Sequence, residues 1–208
     1  ALKVPSADTI MIGNTGNTTN TGVNNFFAGL GAGAGNTEGY ANMFMGLNAG
    51  YSNTTANYNL FLGSHAGYKS VDGGNNTFIG RNAGYENISG VNNLFIGAGA
   101  GQNSTVSYNT AIGGSSLYNN STGGWNTAIG YGALYENTDG EHNVGIGYAS
   151  GYYNQGGSHN VFLGFQAGRG PSAQSISGSV FLGYQAGYNE TTSNKLYIEN
   201  SNSSSPLI

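Results

Sequence analysis

The chain has 208 residues, 38 of them glycine, with 7% charged residues, a net charge of −4 and no cysteine. So few cations leave no basic footprint for a nucleic acid, and the missing thiols exclude disulfide staples and thiolate metal sites. Hydrophobic residues still make up 38%, too many for a low-complexity disordered chain; no window is apolar and long enough to cross a bilayer as a helix, and no charged segment followed by an apolar core opens the sequence.

Residues 1–8 read as a lead-in. From Thr9 the chain repeats one pentad, as in Asn76-Thr77-Phe78-Ile79-Gly80 and Asn93-Leu94-Phe95-Ile96-Gly97. The glycine that closes each pentad, taken as an anchor, recurs at Gly13, Gly29, Gly46, Gly63, Gly80, Gly97, Gly113, Gly130, Gly147, Gly164 and Gly183, in steps of 16 to 19 residues with a mean of 17. A degenerate unit, Lys195-Leu196-Tyr197-Ile198-Glu199, follows. Seventeen residues are too few for a helix pair and suit one coil of a solenoid. Helix is excluded throughout, because each glycine in a helix interior costs about 1 kcal/mol.

Within each pentad the three residues before the anchor are mostly apolar. Phe27, Phe44, Phe61, Phe78, Phe95, Phe162 and Phe181 stand two before it, flanked by aliphatic residues and some Thr. Alternate side chains of a strand face opposite ways, so this strand is apolar on both faces and calls for burial on both. The expected arrangement places the aliphatic columns inside each coil and the Phe column outside it, against other copies of the chain, because a line of exposed Phe exceeds what soluble monomers carry. Four before the anchor, Asn recurs from Asn25 to Asn160 and predicts a stacked amide ladder. After the anchor, Ala-Gly-Tyr segments such as Ala66-Gly67-Tyr68 predict a second, smaller strand. Asn20, Asn36, Asn53, Asn87, Asn120, Asn137 and Asn154, with Gly39, Gly90, Gly123, Gly140 and Gly157, predict a polar loop with left-handed turn residues. The fold class is therefore all-β, a parallel solenoid of about twelve coils over residues 9–188, with residues 189–208 a degenerate last coil and a connection toward a further C-terminal domain.

The pentads "NTAIG" (Asn109 to Gly113, Asn126 to Gly130) and "NVGIG" (Asn143 to Gly147) resemble the head repeats of trimeric autotransporter adhesins of the YadA type, and the longer units resemble the repeat region of tail-fibre-like bacterial surface proteins. This resemblance implies a left-handed β-roll, a homotrimer around one axis, an extracellular site on a cell surface or a phage fibre, and adhesion to a glycan or protein receptor. The chain departs from the adhesin pattern in its longer period and in carrying Phe where that family has Ala.

Chemistry-bearing residues are sparse. No nucleophile elbow, P-loop or dinucleotide fingerprint occurs, and Glu86 and Glu136 fall three coils apart, about 14 Å at ordinary strand spacing, too far for a paired-acid glycosidase. His142 and His159 share a column beside Glu141 and read as surface residues, so no catalytic residue, metal or cofactor is assigned. Seven Tyr from Tyr51 to Tyr188 stand five after the anchors and predict an edge ladder. The sequons at Asn17, Asn53, Asn87, Asn103, Asn120, Asn189 and Asn202 follow from an Asn- and Thr-rich composition. Loops vary most, and the stretched coil around Arg169, Pro171, Ser172 and Gln174 is the expected binding loop. The function this supports is a structural and adhesive fibre segment that associates with itself and inserts into no membrane; the alternatives are an ice-binding or a glycan-binding or glycan-processing solenoid.

Overall fold

The computed structural model describes residues 2–3, 9–13 and 19–202. Residues 4–8 of the lead-in, the Asn17 sequon and residues 203–208 of the tail lie outside the described residues. Thirteen strands make one sheet in chain order: β1 (Leu2–Lys3), β2 (Ile10–Ile12), β3 (Phe26–Ala28), β4 (Met43–Met45), β5 (Leu60–Leu62), β6 (Thr77–Ile79), β7 (Leu94–Ile96), β8 (Thr110–Ile112), β9 (Thr127–Ile129), β10 (Val144–Ile146), β11 (Val161–Leu163), β12 (Val180–Leu182) and β13 (Leu196–Ile198). From β2 onward every pairing is parallel and in register, so Phe61 lies beside Phe78 and Phe78 beside Phe95. The chain is thus an all-β parallel solenoid, and no helix occurs among the described residues. Unforeseen in the sequence, β1 runs antiparallel along β2 with Leu2 opposite Ile12, and pairs a sheet edge that would otherwise be open.

The inside and the outside of the coil are reversed from the sequence expectation. Each strand from β2 to β12 buries its middle residue and turns its two neighbours outward. Phe27, Phe44, Phe61, Phe78, Phe95, Phe162 and Phe181 are wholly buried within their own coils, so they are not an interface. The first five stack ring on ring, centroids 4.8 to 5.0 Å apart, which is the strand spacing itself.

A coil this thin holds a Phe because of glycine on its far side. A Cβ at Gly67 would lie 2.4 Å from the Phe61 ring, and one at Gly84 would lie 2.5 Å from Phe78. Where the strand centre is Ala111 or Ala128, the residue four after the anchor is Leu117 or Leu134, and both leucines are buried. Those leucines hold φ of +50°, a backbone disfavoured by about 1–2 kcal/mol for a side-chain-bearing residue; filling the core compensates.

The Ala-Gly-Tyr segment is a turn, not a second strand. Its backbone alternates hands, with Gly46 at φ +131°, Asn48 at +53° and Gly50 at +58°, and no pleat survives that alternation. Its peptides still bond to the neighbouring coil, as Gly50 N donates to Ala66 O at 2.9 Å.

Two amide columns run inside. Asn59 Nδ2 donates to Gly73 O at 3.0 Å while its Oδ1 accepts from Asn76 N at 2.9 Å, and the same pair of bonds recurs along the pentad asparagines. The second column, Asn20 to Asn154, was expected in surface turns and is buried instead. It faces Gly39, Gly90, Gly123, Gly140 and Gly157, which lie outside the left-handed region. These glycines are required by close approach: a Cβ on Gly39 would stand 2.3 Å from Asn36 Oδ1 and 2.5 Å from Ala56 O.

Candidate functional site

With phenylalanine inside, the outer face of the sheet carries the two flanking columns. These are Ile10, Met43, Leu60, Leu94 and Val144 on one side and Ile12, Met45, Ile79, Ile129 and Leu163 on the other, with their coil equivalents, all partly or largely exposed. Two more outward columns lie just beyond the strand ends. One stands five residues before the anchors, the other one residue after them. Among the described residues of these four columns Arg81 is the only Lys, Arg, Asp or Glu. The result is a strip of exposed aliphatic residues along the rod, beyond the scattered apolar atoms of an ordinary surface.

In the C-terminal half both bordering columns become aromatic. Before the strands, Tyr108, Trp125, His142 and His159 stack with centroids 5.3, 5.3 and 5.1 Å apart. After them, Tyr131, Tyr148, Phe165 and Tyr184 stack at 5.7, 5.2 and 5.3 Å. This second stack was open to column counting from the sequence, since its members each follow an anchor glycine, but it was not among the expected features. Trp125 and Tyr108 wall a cleft of about 270 Å³ whose other side is Val106, Thr122 and Gly124. The cleft is open there because Gly124 has no side chain in a column that has Ser107 above it and Glu141 below.

The expected Tyr edge ladder is present: Tyr51, Tyr68 and Tyr85 stack at 5.2 and 5.0 Å, and Tyr118, Tyr135 and Tyr152 at 5.1 and 4.8 Å. Burial, then the neighbouring Tyr118, pushes the Tyr135 hydroxyl above its ordinary pKa. Inner rungs of all three ladders have a ring on each face and present only their edges, so a sugar cannot stack on them.

The four residues of the expected binding loop separate. Arg169 stands five after its anchor, in the Tyr column, with its guanidinium 5.7 Å from the Tyr152 ring and 5.4 Å from Tyr188 and donating to Tyr188 Oη at 2.8 Å. Gln174 is drawn back into the coil, paired with Asn154, and Gln155 N donates to its carbonyl at 2.7 Å. Pro171 and Ser172, with Ala173, are the exposed tip. Pro171 falls where other coils carry the second buried Asn, and Ile176 is buried in this stretch.

His142 and His159 lie face to face, rings 5° from parallel, so their nitrogens do not converge. No group of three metal-ligating side chains occurs among the described residues. Lys69 Nζ donates to both Glu86 oxygens at 2.8 Å, which holds the ammonium pKa up. The sequons at Asn53, Asn87 and Asn120 place buried side chains in the interior, out of reach of modification once folded.

Comparison with family models, with curated proteins and with solved structures gave no match for this chain.

Proposed function

We propose that the chain is a structural and adhesive segment of an extracellular homotrimeric fibre, in which copies pack through the outer face of the sheet and display their loops to a surface or receptor. The observation that carries this reading is the nearly uncharged outer face along the rod, two apolar columns bordered by two more that turn aromatic in the C-terminal half. Twelve parallel strands at about 4.8 Å, each about six residues wide across those columns, present roughly 1,000 Å² of face. A standard protein interface takes about 800 Å² from each partner. Repetition adds to the case, since stacked repeats present a long continuous surface for assembly. The three-fold symmetry and the adhesive role rest on the likeness of the pentad to YadA-type head repeats. Ice binding is less well supported, since outward Thr77, Thr110 and Thr127 are each followed two residues on by Ile rather than Thr.

Ile129 and Ile146 lie at the middle of the C-terminal half of the face. The double substitution Ile129→Asp, Ile146→Asp is expected to convert a trimer into a monomer in sedimentation, with an unchanged circular dichroism spectrum because both side chains point away from the core. A wild-type chain that sediments as a monomer at micromolar concentration would overturn the reading.

A further inference from the structure

We infer that the two aromatic stacks are the two halves of a clasp, so that copies of this chain join edge to edge, parallel and in register, with the stack after the strands of one copy seated against the stack before the strands of the next. The inference rests on the self-association proposed above and specifies its residues and geometry. Three observations lead to it.

First, the stacks lie at opposite ends of the strands and at matching heights. Trp125 stands five residues before Gly130 and Tyr131 one residue after it, in the same coil. His142 and Tyr148 bracket the next strand likewise, and His159 and Phe165 the one after. Parallel copies related by rotation about the rod direction bring one edge of each copy to the other edge of its neighbour, at the same level. Antiparallel copies meet like edge to like edge and set the aromatic half against the N-terminal half, where the same columns hold Asn24, Asn75, Asn92, Ser64 and Arg81 as well as Leu30, Leu47 and Tyr58, with a single aromatic ring among them.

Second, the two edges differ in shape. Tyr131 projects, 60% exposed, while the cleft beside Trp125 and Tyr108 is concave. A projection on one edge and a hollow on the other, in one coil, make a heterologous contact that a cyclic assembly closes without leaving an unpaired copy.

Third, the rings leave their edges free. Within each stack the faces are occupied by neighbours at 5.1 to 5.7 Å, so what the exposed ring edges offer a second copy is apolar burial and van der Waals contact rather than face stacking. A second copy supplies an edge of the same length and repeat. His142 and His159 are opposed by no Lys or Arg within these columns, and Glu141 Oε2 stands 3.9 Å from His142 Nδ1.

The chain contains no cysteine, which makes the test direct. Trp125→Cys and Tyr131→Cys are introduced singly and together and oxidised under mild conditions. The double variant is expected to give covalent dimers and closed trimers on a non-reducing gel, and each single variant none. His142→Cys with Tyr148→Cys, one coil on, provides the same test should the first pair fold poorly. Cross-linking in a single variant equal to that in the double variant would show like edges meeting, and overturns the clasp. An oligomer by sedimentation with no cross-link from either pair overturns the clasp and leaves self-association standing. A monomer overturns both.

Discussion

Phe78 and Gly84 define one another. The ring fills the space that a Cβ on Gly84 would enter at 2.5 Å, while in the coils of Ala111 and Ala128 the bulk has moved to Leu117 and Leu134 on the other side. The interior stays filled although the source of the bulk changes, as close packing requires; in the coil where Gly145 and Gly151 supply none, Leu134 and Phe162 of the neighbouring coils fill the space. Phe78→Ala is expected to lower unfolding free energy by about 3–5 kcal/mol. Gly84→Leu alone should also destabilise, by overpacking and by a left-handed leucine. Together they reproduce the Ala111–Leu117 arrangement, so the double variant should be more stable than the sum of the single losses allows. Urea unfolding of the four proteins measures this coupling, and strict additivity would contradict the exchange of volume. This exchange was legible in the sequence, where Phe two before an anchor goes with Gly four after it and Ala goes with Leu. It becomes visible only when columns on both sides of the anchor are compared in pairs.

At the scale of the element, one carboxylate gathers the turn that leads into the last coil. Glu190 stands seven after Gly183, at the place of a buried asparagine, and accepts from Thr191 N at 2.9 Å, Thr192 N at 2.8 Å and Thr192 Oγ1 at 2.5 Å. It also accepts from Tyr197 Oη, whose ring ends the aromatic core 5.1 Å from Phe181. Burial pushes the Glu190 carboxyl up, but the hydrogen bonds from Thr192 and Tyr197 and from the two amides outweigh it and bring the pKa from 4.5 to about 2. The same bond, with burial, pushes Tyr197 up to about 12. The folded carboxyl has the lower pKa, so its stabilising contribution is complete above 4.5 and is lost as pH falls through about 2. Amide protection in β12 and β13, measured as exchange relative to an unstructured peptide at the same pH, should therefore fall between pH 4.5 and 2, while Glu190→Gln should be less protected at neutral pH and show little further change over that window. A wild-type protection profile indifferent to pH would contradict this role.

The strands and their register were readable because the anchor glycine keeps phase through the repeat, and the pentad amide ladder because its asparagines recur at one position. The alternating-hand turn was not, since Ala-Gly-Tyr is compatible with a strand and only the run of left-handed residues at the anchor, Asn48 and Gly50 marks it otherwise. Nor was the exposure of each face, because a strand apolar on both sides defines two sets of side chains without saying which set is inside. The binding loop was placed by its length alone; counting from Gly164 assigns Arg169 to the Tyr column and leaves Pro171 to Ala173 as the exposed tip. If that tip carries adhesion, replacing Pro171, Ser172 and Ala173 by a two-residue glycine linker should lower surface binding and leave the melting temperature nearly unchanged; undiminished binding would send the search to other loops.

For the whole molecule, everything turns on whether the outer face of the sheet is covered. The chain's three methionines report on this. Met11 lies in the core at 2% exposure, whereas Met43 and Met45, on the outer face, are 43% and 41% exposed in the single chain. Oxidation by dilute peroxide, followed residue by residue in the mass spectrometer, compares the wild type with the Ile129→Asp, Ile146→Asp variant. Copies packed through this face should make Met43 and Met45 as slow to oxidise as Met11 in the wild type, and fast in the variant. Rapid oxidation of Met43 and Met45 in the wild-type protein, with Met11 still protected, would show the face bare and contradict the account.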